Sequence, residues 1–199
     1  MIFSIEVRQR AVRSVELVCP RCGLDRTGAE TVPARWACVF GVPIVPLGEH
    51  DPIVTCDECG HTSDLGVLEV PTTAQLSVLL REATLGALVI AVRATEAGDL
   101  AAARAAAAVA LDEAGFSTDV ASFDEAFRSL SEVEARLRLR RVGHELTAFG
   151  KQGFLHRIAA VGAASGTTRT RDALVQIGCD LRMAAPHING VLAVADVAA

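Results

Sequence analysis

The sequence predicts an α+β protein in separate domains, with a small β domain over 1–70 followed by an all-α helical bundle over 71–199. Three observations carry that division. Four of the six cysteines stand in two C-x-x-C-G units, both inside the first part. The composition changes near residue 70, from a stretch holding five of the seven prolines to one rich in Ala and Leu. Past that point apolar residues recur at helical spacing, at Leu76, Leu79, Leu80, Ala83, Ala87, Ile90 and Ala91.

In the first part, β-branched and aromatic runs separated by turns predict strands at Phe3–Val7, Ser14–Val18, Trp36–Val42, Ile53–Thr55 and Leu65–Val70. The prolines and glycine of Val42–Gly48 are expected to break any long strand there. At Val70-Pro71-Thr72-Thr73 the proline stops the last strand and a threonine can cap a helix. So short a chain with so little helix-forming sequence builds a weak core, and something besides apolar burial has to hold it.

The second part reads as successive helices. The first runs from Thr73 to about Ala97, and Asp99 opens the next over Leu100 to Ala114, with Gly115 closing it. Eight alanines between 101 and 110 favour helix and close approach, so this second helix is expected to be the buried central one. Ser122-Phe-Asp-Glu125 and Ser131-Glu-Val-Glu134 are capping-box patterns. Leu139, Val142, Leu146 and Phe149 continue an apolar stripe. Further helices are expected over about Gly153–Ala164 and Thr168–Leu181, with a last one after Pro186.

Cys19-Pro20-Arg21-Cys22-Gly23 and Cys56-Asp57-Glu58-Cys59-Gly60 carry the strongest chemical signal. In such a turn the thiolates at i and i+3 point at one ion, and the glycine takes a positive φ that turns backbone N–H groups towards sulfur. Two turns close a tetrahedral S₄ site, which suits Zn²⁺ or iron, and the spacer fits a hairpin as in zinc ribbons. The predicted ligands are Cys19, Cys22, Cys56 and Cys59, around a structural Zn²⁺. Four thiolates leave no open position, so the ion holds the domain together and its binding energy is folding energy. The competing reading, one catalytic dithiol beside a coincidental pair, lacks the βαβ frame it needs. His50 and His61 are alternative ligands, Cys38 and Cys179 read as buried inert thiols, and His144, His156 and His187 fall in no metal-binding grouping.

The N-terminus lacks the pattern of a signal peptide, and no window approaches the roughly 18 apolar residues that span a bilayer. The expectation is a cytoplasmic protein with reduced thiols and no transmembrane segment. Its hydrophobic fraction of 51% excludes a disordered chain, and its net charge of −5, with six basic and ten acidic residues in 1–70, argues against nucleic acid as a partner. The run Arg136, Arg138, Arg140 and Arg141 follows Glu132 and Glu134 by one helical turn and reads as a solvated, ion-paired face, against an anionic partner or membrane surface. There is no Gly-rich phosphate loop and no nucleophile elbow.

A shift of 68 residues lays about 85–120 on 153–188 without a gap, placing Ile90-Ala91 on Ile158-Ala159, Asp112 on Asp180 and Val120 on Ile188. This internal duplication, together with Ile158–Ile177 and Pro186–Leu192, resembles the TerB-like, tellurite-resistance-type helical domain. The N-terminal part is similar to the zinc ribbons attached to such domains, through Ile2-Phe3, the Cys-Pro-x-Cys-Gly knuckle and Val42-Pro-Ile-Val-Pro-Leu-Gly48. Together the two resemblances cover nearly the whole chain. They imply a second divalent cation at acidic turns, but the family's Asp positions are Ala97 and Ser165 here and its Glu positions Arg104 and Asp172. Glu96, Asp99 and Asp172 are the acidic residues left for a weak second site, and capping with the helix dipole explains them as well. The resemblance implies a non-enzymatic interaction protein of tellurite resistance and stress response, with protein partners including membrane-associated ones. A zinc-ribbon regulator on nucleic acid and a metal-dependent enzyme using acidic residues of the helical part are the alternatives.

Overall fold

The computed structural model describes residues 3–116, 120–163 and 167–198. They fall into two compact units, Met1–Gln75 and Leu76–Ala199, divided shortly after the compositional break at Val70-Pro71.

The first unit is an antiparallel sheet of five strands, β1 (Phe3–Cys19), β2 (Leu24–Val39), β3 (Val42–Glu49), β4 (Ile53–Cys56) and β5 (Thr62–Asp64). β2 is the hub. One edge pairs with β1 along its length, while the other takes β4 at Gly28–Thr31 and β3 at Ala34–Val39. A Cβ on Gly28 would sit 2.6 Å from the Thr55 carbonyl oxygen, so glycine lets β4 approach β2 here. β1 is one strand of 17 residues rather than two, continued past a register shift between Ala11 and Arg13. β3 also corrects the sequence expectation, because it runs through Pro43 and Pro46. It pairs only with β2 and carries two register shifts, and an edge strand with bulges tolerates residues lacking an N–H. Leu65–Val70, expected as a strand, is instead a 3-10 helix over Leu65–Glu69. The Asp64 carboxylate accepts the Gly66 N–H at 2.9 Å and turns the chain. The short polar β5 had no apolar alternation to announce it. The unit's core is small: Leu17, Val54 and Val67, with Cys19 and Cys56.

Helices follow, α1 (Thr73–Arg93), α2 (Leu100–Glu113), α3 (Val120–Ser129), α4 (Glu132–Glu145), α5 (Ala148–Ala163), α6 (Thr168–Asp180) and α7 (Ala185–Ala198). Thr72 caps α1 reciprocally with Gln75: the Gln75 N–H donates to the Thr72 hydroxyl at 3.4 Å, and the Thr72 N–H to the Gln75 side-chain oxygen at 3.1 Å. The central helix is the second half of α1, not α2. Ala83–Val92 is buried almost all round, whereas α2 buries one stripe, Ala103, Ala107, Ala110 and Leu111. Alanine secures the helix but has too little side chain to demand burial on every face. Leu65–Arg93 is long and apolar enough to cross a membrane, which corrects the expectation that no window is. Half of its most apolar window is buried, as in the core helix of a bundle.

The Ser131 hydroxyl accepts the Glu134 N–H at 3.2 Å, as its capping box predicts. α3 starts at Val120, ahead of Ser122, and the Ser122 side chain lies outside the described residues, as do 117–119, Ser165 and Gly166. Asp99 precedes α2 but makes no side-chain cap. The predicted stripe ends with α4: Leu146 packs on the core, but Phe149 begins α5 and is 85% exposed. A shift of 68 residues carries Leu100, the first residue of α2, onto Thr168, the first of α6.

Small residues set the helix crossings. A Cβ on Gly143 of α4 would lie 2.8–2.9 Å from the backbone of Leu181, which ends α6, and one on Gly178 would lie 2.7 Å from Ile188 of α7. Gly143→Ala is therefore expected to cost about 1–3 kcal/mol by overpacking against backbone. Gly153→Ala, in an open position on α5, should be neutral or stabilising by up to ~1 kcal/mol. Chemical denaturation of the two variants followed by helical circular dichroism distinguishes these outcomes.

Candidate metal centre

The two knuckles lie at the ends of strands. Cys19 closes β1 and the turn to β2 carries Cys22, while Cys56 closes β4 and the turn to β5 carries Cys59. Both turns have the same backbone. The Gly23 N–H donates to the Cys19 carbonyl at 2.8 Å and the Gly60 N–H to that of Cys56 at 3.0 Å. Gly23 and Gly60 have φ of +68° and +66°, and a Cβ on either would meet nothing within 4 Å. Backbone conformation, not space, requires glycine there. Pairing of Gly28 with Cys56 ties the second knuckle to the first through β2, and the Asp57 N–H adds a bond to the Thr27 carbonyl at 3.1 Å.

This brings the four Sγ atoms within 4.8 Å of one another, with Cys19 and Cys59 at 3.6 Å. That separation is far beyond a disulfide bond of about 2.05 Å. Four sulfurs tetrahedrally placed about 2.3 Å from one ion lie about 3.8 Å apart, so the cluster fits a single metal ion. Cys19 and Cys56 are buried and Cys22 and Cys59 half-buried. The Cys22 N–H, 3.5 Å from the Cys19 sulfur, is the main influence holding that thiol down to about 7. Its hydrogen bond with Cys59, and then burial, push Cys22 up to about 12. Thiols this close resist joint ionisation, and a bound cation removes the repulsion. With all four as thiolates the coordination shell is full.

Among the described residues this is the one group of three or more His, Cys, Asp or Glu side chains drawn together at ligand distance. Glu96, Asp99 and Asp172 form no second such group: the first two lie between α1 and α2, and Asp172 on α6. His50 and His61 are not in the sulfur group; the His61 carbonyl instead accepts the Cys56 N–H at 2.9 Å. Cys38 is buried in β2, and burial raises its thiol pKa. Cys179 is exposed, contrary to the expectation of a buried thiol, because the buried face of α6 passes through Gly178 beside it.

The arginine run divides. Arg136 and Arg138 pair with Glu132 and Glu134 at 2.8 and 2.6 Å, one helical turn away as the spacing implies. Arg140, however, donates its Nε–H to Asp180 at 2.8 Å, with Arg136 4.0 Å from the other carboxylate oxygen. The Asp180 side chain is only 3% exposed. The sequence analysis did not identify this pair, in which only the carboxylate is buried, although Asp180 follows Ile177 by three residues and so lies on the apolar stripe of α6. Arg93, Arg136 and Arg169 line a cleft of about 210 Å³. Arg93 is engaged there, donating to the carbonyls of Phe127 and Leu130 at the end of α3.

Comparisons with family models, curated proteins and solved structures find no match for the chain. The chain's own geometry, a four-cysteine cluster in a β unit followed by helices, fits a zinc ribbon plus a helical part.

Elemental analysis of the purified chain is expected to find one metal ion per molecule. Cys56→Ser should lose it together with the dispersed amide signals of residues 3–70; a variant that keeps both contradicts the cage. Asp180→Ala removes the carboxylate that Arg140 binds from the solvent side and should destabilise the helical unit by about 1–2 kcal/mol in denaturant titration.

Proposed function

We propose that the chain is a non-enzymatic, zinc-stabilised interaction protein of the cytoplasm, similar in role to TerB-type proteins of tellurite resistance and stress response. The sulfur cluster carries this reading. Four soft donors at tetrahedral spacing suit Zn²⁺, and a shell filled by thiolates has no position for water or substrate, so the ion's work is folding. What it holds in place is a sheet with little core and a large exposed surface, the form of a module that presents a surface to protein partners. Supporting the same reading, Arg8, Arg10 and Arg13 of β1 each pair with a glutamate, at 3.3, 3.7 and 2.6 Å. A surface that grips phosphate backbones keeps such cations free.

The test is affinity capture with the intact, tagged chain from cells stressed with tellurite, beside Cys56→Ser. A defined protein partner retained by the wild type and lost with the variant, resistant to nuclease, is the expected result. Retention of nucleic acid with affinity that falls steeply as salt rises supports the nucleic-acid alternative instead.

A further inference from the structure

The outer part of the sheet is apolar on a side that no other described residue of the β unit covers. In an antiparallel ladder, residues directly opposite one another project from the same side. The register places Phe3 against Val39 and Ile5 against Ala37, then Ala37 against Val45 and Val39 against Val42. Val7, two residues past Ile5, extends the same side of β1, opposite Arg35. Alternation sends Ser4, Glu6 and Arg8 to the reverse side. Three strands thus lay one continuous aliphatic and aromatic face. Its large residues are strongly exposed: Phe3 by 75%, and Ile5, Val7, Val42 and Val45 by at least half.

We propose that this face is a self-association surface, on which two copies of the chain pack β1, β2 and β3 face to face. Charge selects the occupant. Arg8, Arg10 and Arg13 are paired with Glu6, Glu49 and Glu30. Arg35, which has no carboxylate partner among the described residues, is the one charge in the apolar register. A nucleic acid or an anionic membrane is recognised by clusters of free cations, and this face offers almost none. A second copy presents the same apolar side, with its single charge, Arg35, at the inner margin opposite Val7, and a two-fold arrangement needs only self-complementarity. Area agrees. From their fractional exposure the five large residues of this face offer roughly 500–600 Å² per copy, so two copies bury at most about 1,000–1,200 Å², at the threshold of a specific interface. The edge is the less suitable route to pairing. β1 has no neighbour on its outer side, yet Arg8, Arg10 and Arg13 along it are the charged residues by which edge strands resist extension.

The inference rests on the reading of the chain as an interaction protein, and it fails separately from it. Sedimentation equilibrium of the intact, zinc-loaded chain over a hundredfold range of micromolar concentrations is expected to show the 20.9 kDa chain doubling in mass. Ile5→Glu combined with Val45→Glu should abolish the doubling while zinc stoichiometry and helical circular dichroism stay unchanged. Val133→Glu, at an exposed position on α4, should leave the dimer intact. A wild type that stays monomeric throughout, or a dimer that survives the double variant, overturns the proposal. So does co-sedimentation of the wild type, but not the double variant, with phosphatidylcholine–phosphatidylglycerol vesicles, which would make lipid the occupant. A wild type that captures a protein partner yet stays monomeric removes only this inference; a zinc-loaded wild type that captures no protein partner removes the reading beneath it.

Discussion

The β unit has too little carbon to hold itself together, and everything in it depends on four sulfur atoms. Its buried cluster contains three aliphatic side chains, and the other two members, Cys19 and Cys56, belong to the sulfur group. Apolar burial stabilises by about 25 cal/mol per Å², and three side chains do not offset the ordering of some seventy residues. A cation held by the four thiolates would supply what the core lacks, where β1, β2, β4 and β5 converge. Such a cation would fasten only the inner end of the sheet. Beyond it β1, β2 and β3 continue as a ribbon with one apolar side and a mixed reverse side, where Ser4, Glu6 and Arg8 of β1 lie opposite Cys38, Trp36 and Ala34 of β2.

The helical unit solves the opposite problem, with ample apolar sequence and few large side chains. Its helices come together through glycine and alanine. Gly86 faces Ala135, Gly143 meets the Leu181 backbone and Gly178 receives Ile188. Close approach replaces bulk as the source of dispersion contact, and leaves little tolerance for an added methyl group. In that setting Asp180 is the one buried carboxylate among the described residues, held by Arg140 and Arg136 from α4. It orients α4 against α6 with a directional contact that alanine packing does not provide.

Much of this was legible in the residues because the signals are local. The C-x-x-C-G turns, the Ser131 cap and the start of α2 after Asp99 are decided by a few neighbouring positions. The misreadings share another origin. Val42–Glu49 forms a strand in spite of two prolines because β2 lies beside it and no strand lies on the other edge. Leu65–Glu69 is helical because Asp64 captures the Gly66 N–H, although β-branched and apolar residues there suit a strand equally. α1, not α2, lies at the centre, since burial depends on how many helices surround a helix and not on its alanine content.

By itself, then, the sequence determined the change of class along the chain, the identity of the four clustered cysteines and most helix starts, because turn chemistry and hydrophobic period act over a few residues. The tertiary structure decided which strands are edges, which helix is central, that Asp180 is buried while Cys179 is exposed, and that Phe3, Ile5, Val7, Val42 and Val45 share one open face. Each of those depends on register or on neighbours distant in the chain, and a one-residue shift in a strand would have reversed the last of them.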